Sequence, residues 1–347
     1  LTPFTIAGGV REQWKRGAII APLVIGFVLI PFFIWWEKLW ASHPIVPFPL
    51  LKDRGVWSSL IIAVFINWIW YMPNDYMYAV LLVGMRQTIK SALRITSLYS
   101  FVSVITGPLL GLVVVRVRKT KPFILFGVST WMIALGLMIH YRGSNDGVAS
   151  EKYVNGVIGA LCLMGFGAGF YTYTTQVSIA TCTNHEHMAV IISLYLACYN
   201  IGSAFGSAVS GAIWSNLMYK RIVLEMAKQG ITDTSIATSA YGSPYTFIIT
   251  YTWGTPARIA VALAYAHVQR ILCIVGVCLC VPLMAAALFL RNHKLESVQS
   301  LESNHVTEGV NENGEVVVNH YDNEPMFNFI RTVVQARRQP VSMLHVP

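Results

Sequence analysis

The chain has 347 residues, of which 55% are hydrophobic and 12% charged, against about 25% charged in a typical globular domain. With a mean hydropathy of +0.55 it cannot cover a folded surface in water, which excludes an ordinary soluble enzyme; lipid is the solvent that fits. The formal net charge of +9 is no nucleic-acid footprint, because in a membrane protein Lys and Arg sort by loop.

Crossing a hydrocarbon core of about 30 Å takes about 20 helical residues. Seven apolar runs qualify: 17–36, 56–85, 95–115, 122–141, 154–182, 188–217 and 269–290. The second, fifth and sixth exceed a perpendicular span, which tilt or kinking absorbs. Continuous runs predict helices rather than a barrel, whose strands alternate every second residue. The fold class is therefore an all-α membrane protein. The chain opens at Leu1 with LTPFTIAGG, which reads like the tail of an earlier apolar segment. A missing N-terminal part is expected, with a processed N-terminus as the alternative.

The second run carries Asn67 and Asp75 in INWIWYMPNDYMYAVLL. An acid within a span costs about 2.5–3.5 kcal/mol at the helix centre on insertion scales. Pro73 removes a backbone hydrogen bond and predicts a kink beside Asp75. Trp68, Trp70, Tyr71, Tyr76 and Tyr78 flank the acid, an arrangement that suits a cavity wall. Two readings stand: Asp75 serves transport, or it caps the helix at headgroup level within an aromatic belt.

Between the third and fourth runs, Arg116, Arg118, Lys119 and Lys121 crowd a short loop, and Arg291 and Lys294 follow the last. Alternation puts both clusters on one side, the cytoplasmic one by their charge. It puts Arg11, Lys15 and Arg16 outside. The fifth run holds GFGAGFYTYTTQ, whose glycines permit close packing and whose Tyr171, Tyr173 and Gln176 offer polar groups. In the sixth, Gly202 and Gly206 form a small-xxx-small pair for helix packing. Tyr195, Tyr199 and Asn200 line a pocket or act as interhelical glue. His185 and His187 in TNHEHM supply too few ligands for a metal site. The six cysteines form no paired zinc or redox spacing.

Residues 218–268 read as a large external loop, with a short amphipathic helix ending at Gly230. Tyr245, Phe247, Tyr251 and Trp253 of this loop either capture substrate or pack the loop onto the bundle mouth. Residues 292–347 read as a mostly disordered cytoplasmic tail.

The blocks INWIWYMPNDYMYAVLL, SALRITSLYSFVSVITG, RVRKTKPFILFG, SLYLACYNIGSAFGSAVSGAIW and YGSPYTFIITYTWGTPARIA resemble the fungal siderophore-iron transporters, 14-span members of the major facilitator superfamily. The resemblance implies that residues 1–55 hold an extra helix and that 56–291 form the C-terminal six-helix bundle. It implies a cavity shared with a missing N-terminal half, and import of ferric siderophores, chiefly hydroxamates, with protons. Asp75 would then couple proton movement, with Asn67, Trp68, Trp70, Tyr71, Tyr76 and the polar residues of the fifth and sixth runs on the substrate. Iron would travel inside the siderophore, so no protein cofactor is implied. Partners would be the ferric siderophore, protons and the lipid bilayer of the plasma or endosomal membrane. Pro73-Asn74 before the acid departs from the family's usual glycine and bears on substrate preference. Alternatives are a glutathione–proton exchanger of the same family, a 14-span drug–proton antiporter and, remotely, a seven-helix receptor.

Overall fold

The structure, a computed structural model, describes residues 17–40, 51, 53–143, 147, 149–183, 185–292, 295, 308–310 and 316–318. Arg11, Lys15, Arg16, Lys294 and most of the tail lie outside the described residues. Among the described residues, seven helices are long and apolar enough to cross a membrane. Helix α1, Gly17–Leu39, is apolar on every side and leaves Phe27, Phe32, Trp35 and Trp36 exposed. It makes no extensive contact with another described helix.

The other six spans form one bundle. Helix α2, Arg54–Asn74, starts on a cap: the Asp53 carboxylate accepts from the Gly55 amide at 3.3 Å, satisfying a donor the first turn leaves open. After α2 the chain makes a single turn at Met77–Ala79 and a π-helical segment at Val80–Gly84. Then follow α3, Ile89–Val117, α4, Lys121–His140, and α5, Val154–Ala180. The bundle is completed by α6, His185–Lys228, and, after two short helices, α9, Pro256–Phe289.

Helix α2 packs against α6 and α9, α4 against α5 and α9, and α3 chiefly against α5. The main core joins Ile62, Ile66 and Ile69 of α2 to Trp131 of α4, Met164 of α5 and Leu283 of α9. A smaller core of Val56, Leu60, Ala63, Ile179, Ile191 and Tyr195 closes one end. Close backbone approach depends on small residues there: a Cβ on Gly202 of α6 would sit 2.1 Å from the Val64 carbonyl oxygen.

Two long-range ties place Arg291 and the Arg116–Lys121 cluster at one end, as the alternation predicts. Arg291 Nη2 meets Asp53 Oδ1 at 2.9 Å in a largely buried ion pair. The Leu295 amide donates to the Arg118 carbonyl at 2.8 Å. Arg118 itself caps α3 in the left-handed region at φ +56°. Within the tail, β1, Glu308–Val310, pairs antiparallel with β2, Val316–Val318.

Two boundaries differ from the sequence reading. The amphipathic stretch before Gly230 is no separate helix but the continuation of α6. Met218, Ile222 and Met226 recur every fourth residue and are buried, so nothing stops the helix before Gly230, at φ +78°. Similarly, α9 begins at Pro256 rather than near 269. Arg258, His267 and Gln269 interrupt the hydropathy of this stretch, yet Ala257, Ala260, Val261, Ala264 and Val268 bury a helical stripe. The connection between α6 and α9 is thus shorter than the loop of residues 218–268 read from the sequence. It holds α7, Thr234–Gly242, capped by Asp233, and α8, Pro244–Thr250.

Candidate functional site

The kink expected at Pro73 is a full break. Helix α2 ends at Asn74, and Tyr76 leaves helical geometry at φ −108°, ψ 3°. A break in lipid frees backbone carbonyls that must find donors within the protein. Helix α9 supplies them from both sides of the gap. Gln269 Nε2 donates to the Pro73 carbonyl at 2.9 Å, and Arg258 Nη2 donates to the Leu82 carbonyl at 3.3 Å. Both side chains are buried. The Arg258 guanidinium also lies 5.5 Å from the centre of the Trp253 ring, where the π face favours a cation.

Asp75 sits in the gap and is exposed on the bundle surface. Its Oδ2 accepts from Ser210 Oγ of α6 at 2.6 Å. One turn further along α6, Trp214 stacks on Tyr76 with ring centres 4.0 Å apart and planes 5° from parallel. Tyr265 of α9 meets the same indole edge-on at 5.2 Å. The residues at the break are therefore held by α6 through Asp75 and Tyr76, and by α9 through Pro73.

A second polar group lies deeper. Asn67 Nδ2 donates to the Tyr199 carbonyl of α6 at 2.9 Å. Around it, Tyr71 of α2, Tyr173 of α5 and Tyr199 come close enough to interact electrostatically, with Tyr99 of α3 beside them. Trp70 packs edge-on against Tyr71 at 4.7 Å and leans on Tyr99 at 5.7 Å. Tyr173 is exposed and Tyr71 and Tyr199 are half-buried, so the group presents phenols from four helices. Since Tyr199 and Ser210 share α6, the acid lies about 16 Å further along the bundle, at 1.5 Å per residue.

The remaining sequence candidates divide. Trp68 is sandwiched between Phe65 and Phe205 and serves the α2–α6 contact. Tyr171 is fully buried against Trp131 with ring centres at 5.0 Å. Tyr195 is buried in the small end core, away from Asp75. Asn200 is exposed but donates to Leu196 in its own helix. Gln176 is half-buried on α5. In the α7–α8 segment, Phe247 is buried and stacks on Tyr251 at 4.5 Å, while Tyr245 is 48% exposed and faces Tyr78. Arg116, Arg118 and Lys119 are exposed and Lys121 half-buried at the opposite end.

Ser210, Gln269, Arg258 and Tyr99 escaped the sequence reading. Ser210, Gln269 and Tyr99 signalled themselves as polar groups inside apolar runs and Arg258 lay in the stretch read as a loop, but their partners became visible only with packing. Among the described residues, no three His, Cys, Asp or Glu side chains cluster as metal ligands would.

A broken span, freed carbonyls and an acid in a helical membrane bundle are features that secondary transporters share. The sequence profile of the Major Facilitator Superfamily matches residues 55–224, and the fold is that of the superfamily, in an integral membrane protein. The chain is similar to Siderophore iron transporter 1 of Saccharomyces cerevisiae, 54% identical over 90% of this chain and 48% of that protein. Siderophore iron transporter ARN1 of the same yeast is 46% identical over 95% of this chain and 49% of its own length. Siderophore iron transporter mirC of Emericella nidulans is 26% identical over 86% and 48%. The chain thus spans about half the length of the curated relatives it matches. Those relatives are transporters, not enzymes.

Proposed function

We propose that this chain is half of a secondary transporter that imports ferric siderophores of the hydroxamate class, driven by protons across the plasma or endosomal membrane. The observation that carries the substrate class is the 54% identity to a siderophore iron transporter over 90% of the chain. The basic loop of Arg116, Arg118, Lys119 and Lys121 faces the cytoplasm and the α7–α8 segment faces outward. Iron arrives and leaves as the chelate, so the protein binds the organic shell rather than the metal.

The phenols of Tyr71, Tyr173 and Tyr199, with Tyr99, provide large apolar faces with hydroxyl tips, suited to a bulky polar chelate. Asp75, exposed at the break, takes up a proton from the outer side and gives it up inward as the two half-bundles rock. Tyr245 and Trp253 greet substrate at the mouth, while Phe247 and Tyr251 brace the segment. The partner half supplies the other wall of the cavity, because sites in this fold lie at the repeat interface near the midplane.

Uptake of radioiron-labelled ferric hydroxamates into cells expressing the full-length transporter, with and without a protonophore, tests the proposal. Accumulation that collapses with the protonophore is expected. Outward movement of a drug, exchange of glutathione, or import indifferent to the proton gradient overturns it.

A further inference from the structure

The broken end of α2 is held unequally by its two neighbours. Toward α9 its grip does not depend on charge at Asp75, since Gln269 and Arg258 hold the Pro73 and Leu82 carbonyls on either side of the gap. Toward α6 the polar ties at the break are the Ser210–Asp75 hydrogen bond at 2.6 Å and, behind it, a weaker contact of the Ser207 side chain with the same carboxylate, beside the Tyr76–Trp214 stack. Below it, α2 and α6 meet over glycine: a Cβ on Gly206 would lie 2.6 Å from Tyr71 Cβ. The Asn67–Tyr199 bond fixes the joint deeper still.

Ser210 is fully buried and has one hydroxyl hydrogen with two acceptors in reach. Asp75 Oδ2 is at 2.6 Å and the Ser207 carbonyl at 3.2 Å. It cannot donate fully to both. A charged carboxylate wins that competition, because hydrogen bonds to an ionised acceptor are roughly twice as strong as neutral ones. Once Asp75 carries a proton, the carboxyl is itself a donor. The Ser210 hydrogen then turns back to Ser207 and the tie across the joint weakens.

We infer that Ser210 is the positioning residue through which the proton on Asp75 controls the α2–α6 joint: the deprotonated acid locks α6 to the broken end of α2, and protonation releases it. The inference rests on the reading of Asp75 as the coupling acid. The other groups at the joint are Tyr76 beside the acid, Ser207 on α6, Tyr241 of α7 near Tyr76, and Tyr265 of α9 against Trp214. Among the described residues no ion pair joins Asp75 to Lys, Arg or His, so hydrogen bonding is the means by which its charge acts on the joint.

Dicyclohexylcarbodiimide, which modifies membrane carboxyls in their protonated form, reads the proton on Asp75 without any substrate. The full-length transporter in liposomes is labelled across a pH series, and modification of the Asp75 peptide is followed by mass spectrometry. In Ser210→Ala the charged carboxylate loses a donor, so the labelling midpoint moves to higher pH by about one unit. Ser210→Thr keeps the hydroxyl and retains the wild-type midpoint. The pH above which hydroxamate uptake declines moves with the labelling midpoint in each variant. An unshifted midpoint in Ser210→Ala, or an equal shift in Ser210→Thr, overturns the role of Ser210. A shift in labelling with wild-type accumulation in Asp75→Asn overturns instead the coupling reading on which it stands.

Discussion

Helices α2 and α6 both outrun the membrane and resolve the excess differently. The span containing α2 runs over 31 residues and α6 over 44, about 46 and 66 Å at 1.5 Å per residue, against a hydrocarbon core of about 30 Å. In α2 the excess is taken up by a break at Pro73, where the backbone loses a donor and carbonyls turn to side chains of α9. In α6 no proline intervenes and the helix runs on past the span as an amphipathic extension ending at Gly230. Added length therefore marks a working site only where the backbone must be repaired from another helix. Elsewhere it is support.

The largest effect that separates the two helices is expected at the break. Asp75→Asn keeps shape but cannot release a proton, so concentrative uptake should fall to the level of cells lacking the transporter while substrate exchange at equilibrium persists. Undiminished accumulation in that variant would reduce the break to architecture. Gly202→Ala attacks the contact between the two helices. Its new Cβ would be 2.1 Å from a backbone oxygen that has no free rotamer to retreat. The cost should reach or exceed the about 1–3 kcal/mol typical of overpacking, measured as a lower Tm in detergent. An unchanged Tm would mean that α2 and α6 do not pack backbone to backbone.

Gln269→Leu leaves the Pro73 carbonyl buried without its donor, which costs about 1–3 kcal/mol. Uptake kinetics should suffer along with thermal stability, since the same carbonyl fixes the turn into Asp75. The smallest effect belongs to the extension of α6. Lys228 pairs with Glu225 at 2.7 Å, but its side chain is 65% exposed, so Lys228→Ala should cost less than about 1 kcal/mol and leave uptake unaltered. A transport defect there would erase the distinction between site and support.

What the sequence made legible follows from cost. An acid and a proline within an apolar run are expensive in lipid, so Asp75 and a kink at Pro73 announce themselves without any structure, though the full break does not. Ser210, Gln269 and Arg258 do not, because each is a side chain whose meaning lies in a carbonyl or carboxylate on another helix. Tyr195 and Tyr199 show how far spacing carries. One turn apart on α6, both touch the small end core, yet the first is fully buried there and the second reaches on to the tyrosine group. Sequence spacing gives their face and not the depth at which neighbours close over them. The start of α9 was hidden because hydropathy averages Arg258 and His267 into a polar mean. Its buried alanine stripe would have revealed the helix by period.

The ion pair between Asp53 and Arg291 has a topological consequence. It brings the entry and the exit of the six-helix bundle to one corner, with the basic Arg118 loop pinned to Leu295 at the same end. The bundle is in that sense a closed ring of helices, and close termini are what circular permutation requires. Joining residue 291 to residue 53 by a short linker and opening the chain between α7 and α8 should preserve the packed core. Sequences attached before and after the ring, α1 on one side and the tail on the other, share a single anchorage.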